Sequence, residues 1–531
     1  MSPVPPRVQE PSGGADAPRP DELATCLAVL ERARSTDPDD PRWRAVHDAA
    51  SLLHRAGKKA RKRTRRTDHR RTDLDTLAST ARHRDQNPSP TPPERPTAPA
   101  APPPAAGTAS AGTPRANPTP PRTGPAPDTS TGTASPAAPG AAGVRGAVGG
   151  DRAVMTGAEV ASGGGASGRS GVRLRRERRC YVCKAAFREV HPEYHTMCPG
   201  CADENAARRH ARCDLRGRRA LVTGGRVKIG FHVALKMLRD GAEVMVTTRF
   251  PRDAARRFAA VDDSGAWLDR LHVHGVDLLD MPGVAGLLEA VHERFDHLDV
   301  LVNNAAQTIR RPPAYHREVR AAEALPLDGP AARVAVAEGV RAAPALVPVF
   351  PDEASFPAGR TDETGEPLDL RDRNSWSLRL HEVDPAEWLE VQMVNAFAPF
   401  LLTSRLRGLL EASPWPDRYV VQVSAMEGSF SRANKTVRHP HTNMAKAALN
   451  MMTRTSAADY AAAGVHMTSV DTGWVTDERP HPDKAAQREA GFRPPLDVID
   501  GAARVYDPVV RGVRGERLSG LFLKDYRPVE W

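Results

Sequence analysis

Three stretches of the chain carry side chains whose types and spacing could do chemistry. CYVC at 180–183 and CPGC at 198–201 are two C-x-x-C pairs. Each such pair makes a tight knuckle that aims two thiolates at one ion. Two knuckles supply the four-sulfur tetrahedron that Zn²⁺ prefers. Cys180, Cys183, Cys198 and Cys201 are therefore the expected ligands of a structural zinc with no open position. His191, His195, His210 and Cys213 lie close in sequence and would make a second site only if the fold brings them together. HPHTNMAK at 439–446 sits just before an apolar run. Imidazole titrates near working pH, so His441 and His439 are candidate proton-transfer groups. Thr442 is a far weaker acid alone, but can orient a substrate or pass a proton. TGGRVKIG at 223–230 is the third stretch. Glycines in such a turn let the backbone approach a pyrophosphate, and the N-terminus of a following helix favours its charge.

These residues need elements to hold them. RRALVTGG reads as the end of a strand, and IGFHVALKMLRDG as an amphipathic helix with Phe231, Ala234, Leu235 and Leu238 on one face and Gly241 as its stop. Strands AEVMVTT, LHVHGVD, LDVLVNNAA, RYVVQVS and VHMTSVDTG alternate with helical patterns, including one long helix over 384–410, and LSGLFLKD reads as a last strand. Near-continuous apolar strands alternating with helices predict an α/β fold, a Rossmann-type doubly wound parallel sheet. This body is expected over 216–531, after a four-cysteine module at 173–215. Residues 86–172, rich in Pro, Ala and Gly, are expected to be a disordered linker, because they hold too little apolar surface to offset ordering entropy. Residues 1–85 read as a short helical region with a basic arm.

The motifs of 216–531 resemble those of the short-chain dehydrogenases/reductases. TGGRVKIG resembles TGxxxGxG, VNNAAQ at 302–307 resembles NNAG, and Lys446 matches the lysine of YxxxK. Asn395 in QMVNAF matches the asparagine of the preceding helix, and VDTGWVT at 470–476 the segment after the sixth strand. The resemblance implies a cofactor site built from Thr223, Gly224, Arg226, Lys228, Ile229, Gly230, Arg249, Asp277, Asn303, Ala305 and Lys446. It implies a catalytic set of Lys446 and Asn395, the latter anchoring a water. Two family residues are replaced. Thr442 stands where the tyrosine belongs, and Ala425 stands at the serine position, with Ser424 one residue early and Ser429 a further substitute. His441, Thr442, Ser424, Glu427 and Tyr315 are candidates to cover the loss. Arg226, Lys228 and Arg249 are three cations expected to converge with no carboxylate, which favours NADP(H) over NAD(H). The expected function is NADP(H)-dependent hydride transfer between nicotinamide and a carbonyl/alcohol substrate, with a non-standard acid/base group. The alternative is an inactive NADP(H)-binding sensor or scaffold. An insertion at about 310–383, rooted at Arg310 and Arg311, is expected to cover the substrate. The family's long paired helices imply a homo-oligomer.

The formal charge of +10 is concentrated in two segments. Residues 55–71 hold ten Lys/Arg against one Asp, and 173–179 hold five Arg against one Glu. The rest is slightly acidic, so nucleic acid or an acidic protein is a possible partner for 55–71 only. No apolar run reaches the roughly eighteen residues of a membrane span, and the N-terminal residues lack a signal-peptide core, so the expected compartment is the cytoplasm.

Overall fold

The computed structural model describes residues 18–81, 83, 172–337, 339–340, 354–362, 364–433 and 435–531. The expected linker lies outside them except for Val172, as do parts of the 310–383 insertion.

Eleven strands form two sheets among the described residues. β1 (Arg173–Arg179) and β2 (Ala186–Glu189) make an antiparallel pair. The rest are β3 (Arg219–Val222), β4 (Glu243–Thr248), β5 (Leu271–Gly275), β6 (Val300–Asn303), β7 (Ala335–Ala337), β8 (Arg418–Ser424), β9 (Val465–Asp471), β10 (Leu521–Lys524) and β11 (Arg527–Val529). They form one nine-stranded sheet of order β11-β10-β9-β8-β6-β3-β4-β5-β7. Every pairing in it is parallel except β10–β11. Strand order reverses between β3 and β6, the switch point outside which ligands bind in such sheets.

Both faces of the sheet are covered, which is why its strands read as continuous apolar runs. Helices Lys228–Arg239, Pro251–Ala259 and Val498–Val513 pack one face through Val233, Phe258, Val505 and Val509. Helices Met281–Arg294, Ala398–Arg405 and Pro440–Ala462 pack the other through Leu287, Val291, Leu402 and Ala457.

Several elements differ from the sequence expectation. Helix Val498–Val513, which holds Pro508 inside it, has no counterpart in that expectation. It is started firmly by a capping box, in which Asp497 accepts from the amides of Ile499 and Asp500, each at 2.9 Å. The helix expected over 384–410 is broken. Pro385–Gln392 runs into a π-helical turn, Met393–Phe397, before Ala398–Arg405 and Arg407–Glu411. β7 arises from the insertion and extends the sheet beyond β5. β11 returns from β10 through Asp525 and Tyr526, both at positive φ (46° and 66°), the geometry of a tight hairpin turn.

The basic residues 173–179 form β1, the first strand of the four-cysteine module. Its backbone is tied to the N-terminal region. The Asp73 carboxylate accepts from the amides of Arg175 (2.6 Å) and Arg176 (3.1 Å), and Leu77 is buried among the module's apolar side chains. Asp73 and Leu77 close the helix Arg44–Ala78, which follows a first helix Pro20–Ala33. Between the two ends of the 35-residue helix, Lys58, Lys59, Arg61, Lys62, Arg63 and Arg65 are all exposed. No helix of the described residues is long and apolar enough to cross a membrane.

Candidate active site

The turns after β3, β6, β8 and β9 lie side by side, because those strands are neighbours and parallel. They carry TGG, NNAAQ, SAMEG and DTGWVT, so the sheet itself brings the four motifs to one edge.

The glycine turn is held from below by Asn304. Its amide nitrogen donates to the carbonyls of Thr223 (2.9 Å) and Gly224 (3.1 Å). The Thr223 hydroxyl accepts from the amides of Asn304 and Ala305, each at 3.0 Å. Gly224 has φ +67°, and a Cβ there would lie 3.0 Å from the Ala305 Cα. A Cβ at Gly230 would lie 2.3 Å from the Gly224 oxygen and 2.4 Å from the Asn304 amide. Both positions thus require glycine, and the result is a partly buried backbone concavity at the start of helix Lys228–Arg239. Asn304 was inside the motif read from sequence but was not singled out. Asn303, which was, turns inward, donating to Thr403 (3.0 Å) and Gln422 (3.1 Å).

The expected trio of cations without carboxylates is corrected. Arg226 is buried and doubly paired, to Asp253 (2.7 Å) and to Glu366 of the insertion (2.6 Å). Lys228 occupies a left-handed position (φ 54°) where the family has glycine. Burial disfavours its charge, but the carboxylates of Glu478 and Asp362 outweigh that and raise its pKa. Arg249 makes no ion pair among the described residues, although the charge of Asp277 acts on it. It is exposed, and it donates to the His316 Nε2 at 3.3 Å. Burial, then the charges of Arg249 and Arg226, push the His316 imidazole down to about 2, so it accepts as a neutral ring. Asp277 closes its own turn, accepting from the Leu279 amide at 3.1 Å. Ile229 lies partly buried at the second position of the helix.

At the catalytic end, Asn395 sits in the π-helical turn and is buried. Both ends of its side chain are used by one residue, accepting from the Gln307 amide (2.6 Å) and donating to the Gln307 carbonyl (3.0 Å). It therefore fixes the NNAAQ loop, with one lone pair and one N–H of the carboxamide beyond these two bonds. Lys446 is buried and donates to the Val423 carbonyl at 2.8 Å. Burial lowers its pKa to about 8, against the opposing charge of Glu427. The 426–428 turn is pressed onto it, since a Cβ at Gly428 would lie 2.5 Å from the Lys446 carbonyl carbon. Thr442, one turn earlier, is buried with its hydroxyl unpartnered. Ser424 donates to the Lys446 carbonyl at 3.3 Å, and Ser429 pairs with Ser431 at 2.9 Å. Glu427 accepts from Arg432 at 2.8 Å.

The histidines are placed differently from each other and from Lys446. His439 (φ 42°) stacks on Trp376 at 3.9 Å and hydrogen-bonds its carbonyl at 3.0 Å, anchoring the end of the insertion. His441 lies about 140° round the helix from Lys446. Its buried ring has no hydrogen-bond partner, and its Nε2 lies 3.6 Å from the Glu387 carboxylate. Glu387 opens into a cavity of about 660 Å³ whose wall includes Arg310, Ser375, Asn374 and Arg373. Arg310 pairs with Glu390 (2.8 Å), and Arg311 pairs with Asp369, so neither root arginine is free for an anion. Tyr315 is buried in the insertion, its hydroxyl pushed up to about 12 by burial despite Arg311 and Lys228.

The four cysteine sulfurs lie within 4.8 Å of one another, with Cys183 and Cys198 at 3.7 Å. Zn–S bonds of about 2.3 Å in a tetrahedron put sulfurs roughly 3.8 Å apart, so this donor set fits one zinc. The nearby histidines do not converge: His191 faces Asp203 (3.3 Å), His195 the Arg493 carbonyl (3.4 Å), and Cys213 the Tyr506 hydroxyl (3.2 Å). His210 caps its helix at the surface.

A parallel sheet with a glycine turn after β3, an asparagine-held loop after β6 and a buried lysine beside β8 defines a class, and the comparisons with known proteins agree. The short chain dehydrogenase family profile matches residues 218–324, and the Enoyl-(Acyl carrier protein) reductase profile matches 373–490. The chain belongs to the short-chain dehydrogenase/reductase family. It is 32% identical over 343 residues to Uncharacterized protein R665 of Acanthamoeba polyphaga mimivirus, covering 62% of this chain and 71% of that protein. It is 33% identical over 141 residues to Carbonyl reductase (NADPH) 1 of Sus scrofa, covering 23% of this chain but only 48% of that one. A solved short chain dehydrogenase from Burkholderia cenocepacia J2315, in complex with NADP, shares 21% identity and a TM-score of 0.39, over 59% of this chain and 97% of that one.

Proposed function

We propose that residues 216–531 form an NADP(H)-dependent oxidoreductase that reduces a carbonyl, or oxidises the matching alcohol, with Lys446 as its acid/base group. The observation that carries this reading is a buried lysine whose pKa is lowered to about 8, on the helix face of an unpartnered buried hydroxyl, Thr442. Residues four apart share a helix face, so the two side chains point the same way. Bound NADPH would supply the hydride. Lys446 supplies the proton to the carbonyl oxygen through the Thr442 hydroxyl, and the neutral amine is recharged from solvent. Such a lysine replaces the tyrosine because its own pKa lies near working pH, where general acids are most effective. His441 faces the helix Pro385–Gln392 instead, and His439 is held by Trp376, so neither is assigned the step.

Arg249 is the residue for the 2′-phosphate of NADP(H), being the cation at the end of β4 that is held in no ion pair. Arg226 and Lys228 shape the turn and bind the insertion. Cys180, Cys183, Cys198 and Cys201 hold a structural zinc. A second copy of the chain covers the exposed Trp388, Phe397, Phe400 and Met451, which lie on the two helical segments that pair subunits in this family. Nucleic acid fits the basic helix. Nine of its ten cations lie within an arc of roughly 200°, with no large apolar side chain among them, whereas a membrane surface needs an apolar face.

The test is NADPH oxidation with a panel of aldehydes and ketones. At least one is reduced by the wild type, and Lys446→Ala reduces that rate at least about a hundredfold. Turnover unchanged in that variant contradicts the assignment of the proton to Lys446.

A further inference from the structure

The four-cysteine module is more than an appendage. Its apolar core, built from Cys180, Phe187, Tyr194 and Met197, also contains Val475 from the turn after β9 and Leu496. Ile229, the second residue of the helix that opens at the glycine turn, packs against the same cluster. Gly501 marks where they meet: a Cβ there would lie 2.9 Å from Val475 and 3.0 Å from Ile229. The first knuckle reaches further. The Tyr181 hydroxyl, between Cys180 and Cys183, accepts from the Trp474 amide at 2.9 Å. The module's helix Pro199–Arg209 is bolted to the body through buried charge, with Arg209 on Asp497 (2.6 Å) and Asp500 (2.8 Å). The Tyr194 hydroxyl and the Asn205 amide donate to the same Asp500 carboxylate, at 2.8 and 3.1 Å.

We propose that the metal module is a brace for the two segments that hold the dinucleotide, the helix start at Ile229 and the turn at Gly473–Val475. Tyr181 is the positioning residue for that turn. Metal occupancy and dinucleotide affinity are then linked, and the linkage is reciprocal. This rests on the reading that those segments take NADP(H) and that the cysteines take zinc.

The experiment uses the full chain as wild type, as Tyr181→Phe, and as wild type stripped with a chelator. Metal content, NADPH affinity by its own fluorescence, and hydrogen exchange at 472–476 are measured in each. Tyr181→Phe keeps its zinc and its unfolding midpoint, loses exchange protection at 472–476, and binds NADPH roughly fivefold more weakly, as one lost hydrogen bond implies. Zinc removal weakens binding further and re-addition restores it. In the wild type NADPH slows loss of zinc to the chelator. Unchanged affinity and exchange in Tyr181→Phe overturn the brace, including where zinc removal simply unfolds the chain. Purified wild type without bound metal overturns the linkage. If the wild type binds no NADPH, the nucleotide reading has failed, and exchange at 472–476 in Tyr181→Phe still decides whether Tyr181 holds the turn.

Discussion

Burial sets the Lys446 ammonium at about 8, and that value has a direction in pH. Reduction needs the charged amine to give a proton. Its rate is therefore full below that pH and falls as pH rises through about 8. Alcohol oxidation needs the neutral amine and shows the reverse profile. A reduction rate that stays flat to pH 10 would point to a different acid. Sequence made Lys446 and the missing tyrosine legible at once, since both are matters of residue type at fixed spacing. It misled on the cations. Arg226 and Lys228 looked free because their counterions, Glu366 and Asp362, come from an insertion with no periodicity to place it, and Asp253 and Glu478 lie well away along the chain. Arg226→Ala should accordingly act on stability more than on cofactor choice. It leaves Asp253 and Glu366 with Arg257 alone, at 2.6 and 3.6 Å, at a cost of about 1.5–3 kcal/mol for the lost charged hydrogen bonds, read as a fall in unfolding midpoint.

At the scale of elements, the strands were readable because both faces of the sheet are buried, and the helices wherever an apolar stripe was regular. Helix Val498–Val513 escaped that reading, although its capping box and apolar contacts maintain it around Pro508, and the π-turn at Met393–Phe397 has no sequence signature of its own. That turn carries Asn395, whose two hydrogen bonds hold Gln307 and so the loop after β6. The glycine turn is equally specific. Gly230→Ala would drive a methyl into the Gly224 carbonyl and the Asn304 amide. We expect that variant to fold but to lose NADPH binding by at least about tenfold in a fluorescence titration, because the concavity moves while the sheet beneath it remains. Asn304→Ala should do the same by removing the clamp on the turn.

The whole molecule joins a family body to a four-cysteine module and a basic helix. The exposed aromatic side chains on the Pro385–Gln392 and Ala398–Arg405 segments predict a self-associating chain. Phe397→Asp together with Phe400→Asp should shift its mass in sedimentation to that of one chain. For the basic helix, affinity for duplex DNA should fall steeply between 50 and 200 mM salt, by on the order of 10³-fold or more if six or more phosphates are contacted, and vanish when 55–71 is deleted. The account as a whole depends most on the dinucleotide site. Its most direct test is a fluorescence titration of wild type and Arg249→Ala with NADPH and with NADH. The wild type should prefer NADPH by about tenfold or more, as a charge-assisted phosphate contact implies, and Arg249→Ala should bind the two alike. Failure of the wild type to bind either nucleotide, or an undiminished preference in Arg249→Ala, would contradict it.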